Sequence, residues 1–223
     1  FLSPKDNALT AWGGMITVDA ASFTFQIIVM VGAAITTLFS MYHPEVQDRG
    51  EYYAMLLLSV IGMSMMVAST NVILLYLAIE TTATPLYVLV GFLKNNKLSI
   101  ESGLKYFLFG AFTSAILLYG FSLLYGFSGS TNYSEIIAAI QAGKFSLGLL
   151  VFILLLVVAG FGTKISGFPF HFWAPDAYQG APTPISGYLS TASKAVGFVV
   201  IMRFMASILS SEPQTWTLLF AIM

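Results

Sequence analysis

Polar residues along this chain gather into short clusters, and the stretches between them are apolar for about 20 residues at a time. The clusters are residues 1–20 (with Lys5, Asp6 and Asp19), the loop His43–Glu51, the turn Thr70-Asn71, the loop Lys94–Lys105, the interval Ser128–Lys144 and the stretch after Trp173. They delimit apolar spans at about 21–42, 52–69, 72–93, 106–127, 145–173 and 185–209, with one more opening at Trp216. A bilayer helix needs ~20 such residues. The pattern therefore predicts an all-α polytopic membrane protein: an aqueous lead-in (1–20), a bundle of about six transmembrane helices (21–209), and the start of a further span (210–223). The opening at Phe1 without an initiator Met and the closing apolar run read as cut ends, so a fragment of a longer protein is expected. Tyr133–Ala142 is expected to form a short amphipathic helix on the membrane surface.

Composition narrows the function classes. With 57% of residues hydrophobic and 9% charged, the apolar surface exceeds what a soluble core buries, average chains being about 25% charged. A net charge of −1 leaves no basic face for nucleic acid. Zero cysteines and two histidines exclude thiolate-held iron–sulfur clusters and argue against haem, so redox chemistry belongs to other chains. Met63, Met65 and Met66 have no other soft ligand beside them and read as packing filler rather than a copper site. Successive loops put Arg49, Lys94, Lys97 and Lys105 on one side and Lys5, Lys144 and Arg203 on the other. The lysine cluster between 94 and 105 places the first side in the cytoplasm.

The stretch Phe145–Trp173 is too long for its role. As one helix its 29 residues would reach ~43 Å across a hydrocarbon core of ~30 Å. Gly160, Gly162, Gly167 and Pro169 predict a break rather than a steep tilt, and Lys164 lies beside it. Beyond, Pro175, Pro182 and Pro184 are expected to shape a turn, Asp176 to cap or hold it, and Trp173 and Tyr178 to anchor at the interface.

Two further charges sit inside apolar spans. Glu80 is nine residues past Asn71, so ~13 Å into the membrane, where a carboxylate must be protonated, paired or hydrated. Pro85 frees a backbone carbonyl one turn on, and Thr81, Thr82 and Thr84 are the hydroxyls expected to satisfy it. Lys194 is likewise about nine residues into its span, with Ser186 and Ser190 preceding it at four-residue steps as a hydroxyl stripe. Lys94, Lys97 and Lys105 stand near span ends and read as snorkelling side chains; Lys164 and Lys194 have no short route out. Two readings of the trio stay open: a fixed salt-bridge clamp, or a switchable proton relay in which mutual attraction opposes desolvation. His171, beside Trp173 and Asp176, is a further candidate for the relay because imidazole titrates near neutrality. The alternative is an interfacial histidine bonded to backbone.

The run Gly162–Pro184, with Ser190-Thr-Ala-Ser-Lys194 after it and Leu77-Ala-Ile-Glu80 before Pro85, resembles the antiporter-like membrane subunits of respiratory complex I. The wording Tyr178-Gln-Gly-Ala-Pro-Thr-Pro184 is most similar to the subunit N branch of bacterial NADH-quinone oxidoreductases. The resemblance covers the chain from about residue 20. It implies a larger fold of two inverted five-helix repeats, each with a discontinuous helix, of which the first is present here. It makes Glu80 the family's carboxylate, Lys164 the lysine of the broken helix and Lys194 the connecting lysine. It implies a multi-pass protein of the bacterial plasma membrane, translocating protons as a subunit of an NADH:quinone oxidoreductase. Its partners would be other membrane subunits, related antiporter-like ones among them, and lipids. This chain would bind no cofactor or metal, with NADH, FMN, iron–sulfur clusters and quinone held by partner subunits. The alternatives are a subunit of a multisubunit Na+/H+ antiporter or membrane-bound hydrogenase, and a structural scaffold.

Overall fold

In the computed structural model, which describes residues 9–208, a β-hairpin leads into a bundle of helices. β1 (Leu9–Ala11) pairs antiparallel with β2 (Ile16–Val18), Leu9 opposite Val18. The aqueous lead-in thus carries strand structure that an all-α expectation lacks. Residues 1–8 of the lead-in, and the further span expected at 210–223, lie outside the described residues. Asp19 closes the hairpin and caps α1 (Ala20–Ser40), accepting the Ser22 N–H at 2.8 Å while its own N–H donates to Ser22 Oγ at 2.8 Å. The reciprocal pair satisfies two donors that a helix start leaves unpaired.

The helices that follow are α2 (Gly50–Ala68), α3 (Val72–Val90), α4 (Lys97–Ser128), α5 (Tyr133–Gln141), α6 (Leu147–Ile165), α7 (Trp173–Gly180), α8 (Thr183–Tyr188) and α9 (Lys194–Ile208). A π-helical turn, Leu189–Ser193, runs α8 into α9 without a gap. Among the described residues, α1, α2, α3, α4, α6 and the continuous α8–α9 stretch are long and apolar enough to cross a membrane. Large apolar side chains stand on their outer faces: Leu38, Phe39 and Phe112 are 60%, 66% and 67% exposed. Water would penalise such a surface, and hydrocarbon accepts it.

The loop expected at Lys94–Lys105 is mostly helix. Asn96 accepts the Leu98 N–H at 3.0 Å and starts α4 there, and Glu101 and Lys105, one turn apart, pair at 2.8 Å. Charged residues at helical spacing extend α4 beyond its apolar part, and a hydropathy pattern cannot distinguish such an extension from a loop.

α3 is the centre of the bundle, packed between α2 and α4. Asn71 fixes its start: the side-chain carbonyl accepts from Ile73 and Leu74, and the amide donates to Thr131 at 2.8 Å and Asn132 at 2.9 Å across the loop that follows α4. At its other end Gly91 and Gly103 bring α3 and α4 into backbone contact, since a Cβ on Gly103 would stand 2.7 Å from Gly91 Cα. Small residues admit this closeness where no hydrophobic force between helices exists.

α6 and α7 together run antiparallel along α4. Gly160 backs onto Leu117, Lys164 reaches Ser114, Trp173 stacks on Tyr106, and Gly180 meets Ser102. The break between α6 and α7 therefore falls between the levels of Ser114 and Tyr106, near the middle of α4. Gly160 and Gly162 remain helical. The helix stops at Ile165, where Ser166 takes a left-handed conformation (φ +55°) and the Gly167 N–H turns back to the Gly162 carbonyl at 2.8 Å. Pro175 and Pro184 occupy first turns of α7 and α8, positions where a missing N–H costs nothing.

Candidate functional site

Lys164 stands in the last turn of α6 with its side chain turned inward between α3 and α4. Its stem is partly accessible, while the ammonium is enclosed. Nζ donates to Tyr87 Oη at 3.4 Å and Ser114 Oγ at 3.4 Å, and lies 5.9 Å from the Tyr87 ring centroid. Both hydroxyls are neutral. The ion pairs among the described residues are Lys105 with Glu101 and Asp176, and Arg203 with Asp19. The ammonium is therefore held by dipoles rather than locked to a carboxylate.

Glu80 lies on α3 two turns before Tyr87, on the same face. Its Oε1 is enclosed and has no hydrogen-bond partner. No ion pair joins Glu80 to Lys164 among the described residues, so the carboxylate and the ammonium share the neighbourhood of Tyr87 without touching. Helical side chains lean toward the amino terminus, which tilts the Tyr87 phenol back toward Glu80. The threonines do not serve the carbonyl that Pro85 frees, as was expected. Thr81 and Thr82 donate to the carbonyls of Leu77 (2.8 Å) and Ala78 (2.9 Å), one turn earlier, and Thr84 is exposed.

Lys194 opens α9. Gly197, one turn on, is the point where α9 crosses the end of α6: a Cβ there would stand 2.9 Å from Ile165 and 3.7 Å from the Lys164 carbonyl oxygen. A cavity of about 20 Å³ lies at this crossing, lined by Lys164, Thr82, Tyr106, Ser193, Met63 and Met66 among others. A void of ~10–15 Å³ suffices for one water when polar partners are present, and here Lys164 and three hydroxyl-bearing residues are among those that line the walls. Lys164 and the residue preceding Lys194 thus share one water-sized space. The methionines fill and line, as expected: Met63 and Met66 are buried, and Thr82 turns its hydroxyl to the Met66 sulfur at 3.4 Å.

Three expectations fail on contact with the fold. The Ser186–Ser190 stripe does not lead to Lys194: Ser186 donates to the Tyr178 carbonyl at 2.8 Å, Ser190 to Gly187 at 3.0 Å, and the π-helical turn rotates the chain out of the four-residue register. Trp173 is no interface anchor. It is 3% exposed, stacks on Tyr106 at 4.3 Å and donates to the Thr163 carbonyl at 3.0 Å. Tyr178 packs edge-on against it rather than facing the interface. Arg203 pairs with Asp19 at 2.9 Å. Asp176 does hold the turn, by pairing with Lys105 at 2.9 Å, so Lys105 is bound rather than snorkelling.

His171 sits in the link between α6 and α7, its ring stacked on Phe172 at 4.9 Å and 6.0 Å from Phe168, with Nδ1 enclosed and unpartnered. No contact joins it to Glu80, Lys164 or Lys194 among the described residues. Sequence reasoning missed Tyr87 and Ser114, the two groups that hold Lys164. Tyr87 carried a readable signal, being seven residues from Glu80 on one helical face; Ser114 carried none.

Residues 69–223 match the family described as NADH:quinone oxidoreductase/Mrp antiporter, TM. The chain belongs to this family. The matched region of this NADH:quinone oxidoreductase/Mrp antiporter member contains Glu80, Lys164, His171 and Lys194. The chain is 44% identical over 206 residues to NADH-quinone oxidoreductase subunit N 1 of Roseiflexus castenholzii, which covers 87% of this chain and 38% of that protein. A chain in respiratory complex I from Thermus thermophilus with bound aureothin is similar with a TM-score of 0.74 and 33% identity, over 86% of this chain and 42% of that one. The Mrp complex from Dietzia sp. DQ12-45-1b shows likeness of fold, with a TM-score of 0.78 at 24% identity, over 93% of this chain and 24% of that one. The chain spans less than half the length of these relatives. Family and fold together make it a membrane-spanning helical segment.

Proposed function

We propose that the chain is part of a proton-translocating N-type subunit of a bacterial NADH-quinone oxidoreductase, a multi-pass protein of the plasma membrane, and supplies its first half-channel. The observation that carries this reading is Lys164: an enclosed ammonium beside a helix break, held by two neutral hydroxyls, with no carboxylate against it. A clamp would place a carboxylate against it. A relay needs a charge that is held loosely enough to change.

In this reading Glu80, two turns before Tyr87 on one face of α3, supplies the negative charge of the relay, and Tyr87 and Ser114 orient the ammonium. The water-sized cavity carries a proton from Lys164 toward Ser193 and Lys194, which passes it on to the rest of the subunit. His171 would serve as an entry group only if chain or water joined it to the trio. The family's second inverted repeat would complete the path. Other membrane subunits, antiporter-like relatives among them, would be the partners. NADH, FMN, iron–sulfur clusters and quinone would be bound by partner subunits, in keeping with a chain that has no cysteine.

The fold shared with an Mrp complex supports a second reading, a subunit of a Na+/H+ antiporter. The higher identities to complex I chains favour the first. In the full-length subunit, within the assembled complex, Lys164→Ala and Glu80→Gln are expected to lower protons moved per NADH oxidised severely. Full pumping in both variants would refute the relay, and Na+-dependent movement without NADH would favour the second reading.

A further inference from the structure

Tyr178 in α7 has no task in the relay as drawn, yet it is the group that faces Lys194. The Lys194 ammonium lies 5.5 Å from the Tyr178 ring centroid. Among the described residues the Lys194 ammonium makes no ion pair and no hydrogen bond. The Tyr178 phenolic oxygen is enclosed and also lacks a partner, so what the tyrosine offers the lysine is its π face.

That face is fixed from several directions. The ring meets Trp173 edge-on, with centroids 6.2 Å apart at 62°. Trp173 donates to the Thr163 carbonyl at 3.0 Å and stacks on Tyr106 at 4.3 Å. The Tyr178 carbonyl accepts from Ser186 at 2.8 Å, and Asp176, two residues earlier, is tied to Lys105 at 2.9 Å. Thr163 immediately precedes Lys164, so the ring facing the second lysine is braced against the residue beside the first.

We propose that Tyr178 is a positioning residue whose ring seats the Lys194 ammonium, so that Lys194 is held against α7 while charged and released when neutral. This rests on the relay reading and names the group within it that responds to the charge on Lys194. The physical basis is the ring quadrupole, which attracts a cation and offers a neutral amine only dispersion. The other charged groups of the neighbourhood are engaged or distant in contact terms. Asp176 and Glu101 both pair with Lys105, Lys164 lies with Tyr87 and Ser114, and Glu80 contacts none of them. No anion therefore competes with the ring for Lys194 among the described residues.

The experiment uses the full-length subunit in its assembled membrane complex. Reaction of Lys194 with a membrane-permeant amine reagent is followed by mass spectrometry of its peptide. Tyr178→Met and Tyr178→Leu remove the ring and keep apolar bulk; Tyr178→Phe keeps the ring and removes the hydroxyl. Either ring-less variant that assembles serves the test. Loss of the ring is expected to raise the Lys194 reaction rate roughly three- to tenfold, the factor a cation–π contact is worth, while Tyr178→Phe stays within about twofold of the parent. An unchanged rate without the ring overturns the proposal, as does a Phe variant that reacts as fast as Met or Leu. Pumping by Lys194→Ala separates the two claims. If that variant pumps normally while reactivity follows the ring, the relay falls and the seat stands. If it fails to pump while reactivity ignores the ring, the seat falls and the relay stands.

Discussion

Gly110 in α4 touches none of the charged groups, yet its replacement reaches Lys164 through one intermediate. A Cβ at Gly110 would overlap the Tyr87 hydroxyl and stand 2.5 Å from Tyr87 Cζ and 2.8 Å from Cε1. Ordinary contact begins near 3.4 Å, so in Gly110→Ala the ring must retreat by at least about 0.9 Å, the shortfall at Cζ, and the hydroxyl by more. The Lys164–Tyr87 hydrogen bond is already at 3.4 Å, the outer edge of useful geometry, and the retreat breaks it. A hydrogen bond to a charged group contributes ~1.5–3 kcal/mol, and one this long falls at the low end, so the ammonium should be held in place roughly tenfold less often. Overpacking adds a separate cost of about 1–3 kcal/mol in stability.

Tyr87→Phe separates the two effects, because it removes the hydroxyl without adding bulk. Both variants are expected to lower proton movement per NADH oxidised by about tenfold, measured by dye quenching in sealed vesicles against NADH consumption. Gly110→Ala alone should also lower the detergent-denaturation midpoint. Parental coupling in both variants, in complexes assembled to the parental level, would refute the claim that the phenol orients Lys164. Coupling lost in Gly110→Ala and kept in Tyr87→Phe would assign the role to the ring and not the hydroxyl.

The cavity between Lys164 and Ser193 yields a second expectation: Ser193→Val removes a hydroxyl and fills about 20 Å³ of space, so it should slow pumping while leaving assembly intact, and a parental rate would argue against a water there. Asp19 yields a third, in stability against pH. Burial alone would raise its carboxyl, but the Ser22 N–H and the Arg203 guanidinium outweigh that and hold it below its ordinary value. Its contribution is then present above the unfolded carboxylate value near 3.9 and is lost as pH falls through the lower folded value. Asp19→Asn should cost about 1 kcal/mol at neutral pH, discounted for the exposure of the pair, and the gap to the parent should close below about pH 4 in thermal unfolding. A gap that does not narrow as pH falls below about 4 would assign the cost to something other than charge.

The spans were legible because hydropathy follows directly from what a bilayer requires, and Glu80, Lys164 and Lys194 stood out as charges inside them. The break was legible too, from a length that exceeded the membrane. What the pattern did not carry were contacts between helices distant in sequence. Ser114 is an ordinary hydroxyl in an apolar span until α6 brings Lys164 to it. Trp173 looked like an anchor because tryptophan is common at interfaces, and only the placement of α7 against Tyr106 makes it interior. The serine stripe failed for a local reason: a π-helical turn shifts register by one residue, and composition does not announce it. Lys97–Lys105 failed because charge was read as loop where it marked a helix continuing into water.

The placement of the break follows from α4. Its 32 residues run ~48 Å, longer than the hydrocarbon core, and α6 with α7 must cover it from the other side. A continuous partner helix would carry Lys164 past Ser114 with its backbone bonds closed and no polar atoms free beside it. By stopping at Ile165, α6 leaves carbonyls without a partner four residues on, and the Thr163 carbonyl accepts from the Trp173 indole as well as from the Ser166 N–H. The indole bond puts α7 back on α4 at Tyr106 and leaves the ammonium between the two halves, beside the cavity. Removing the indole donor should therefore act on Lys164 and α7 together, whereas a change confined to Ser114 should act on the ammonium alone.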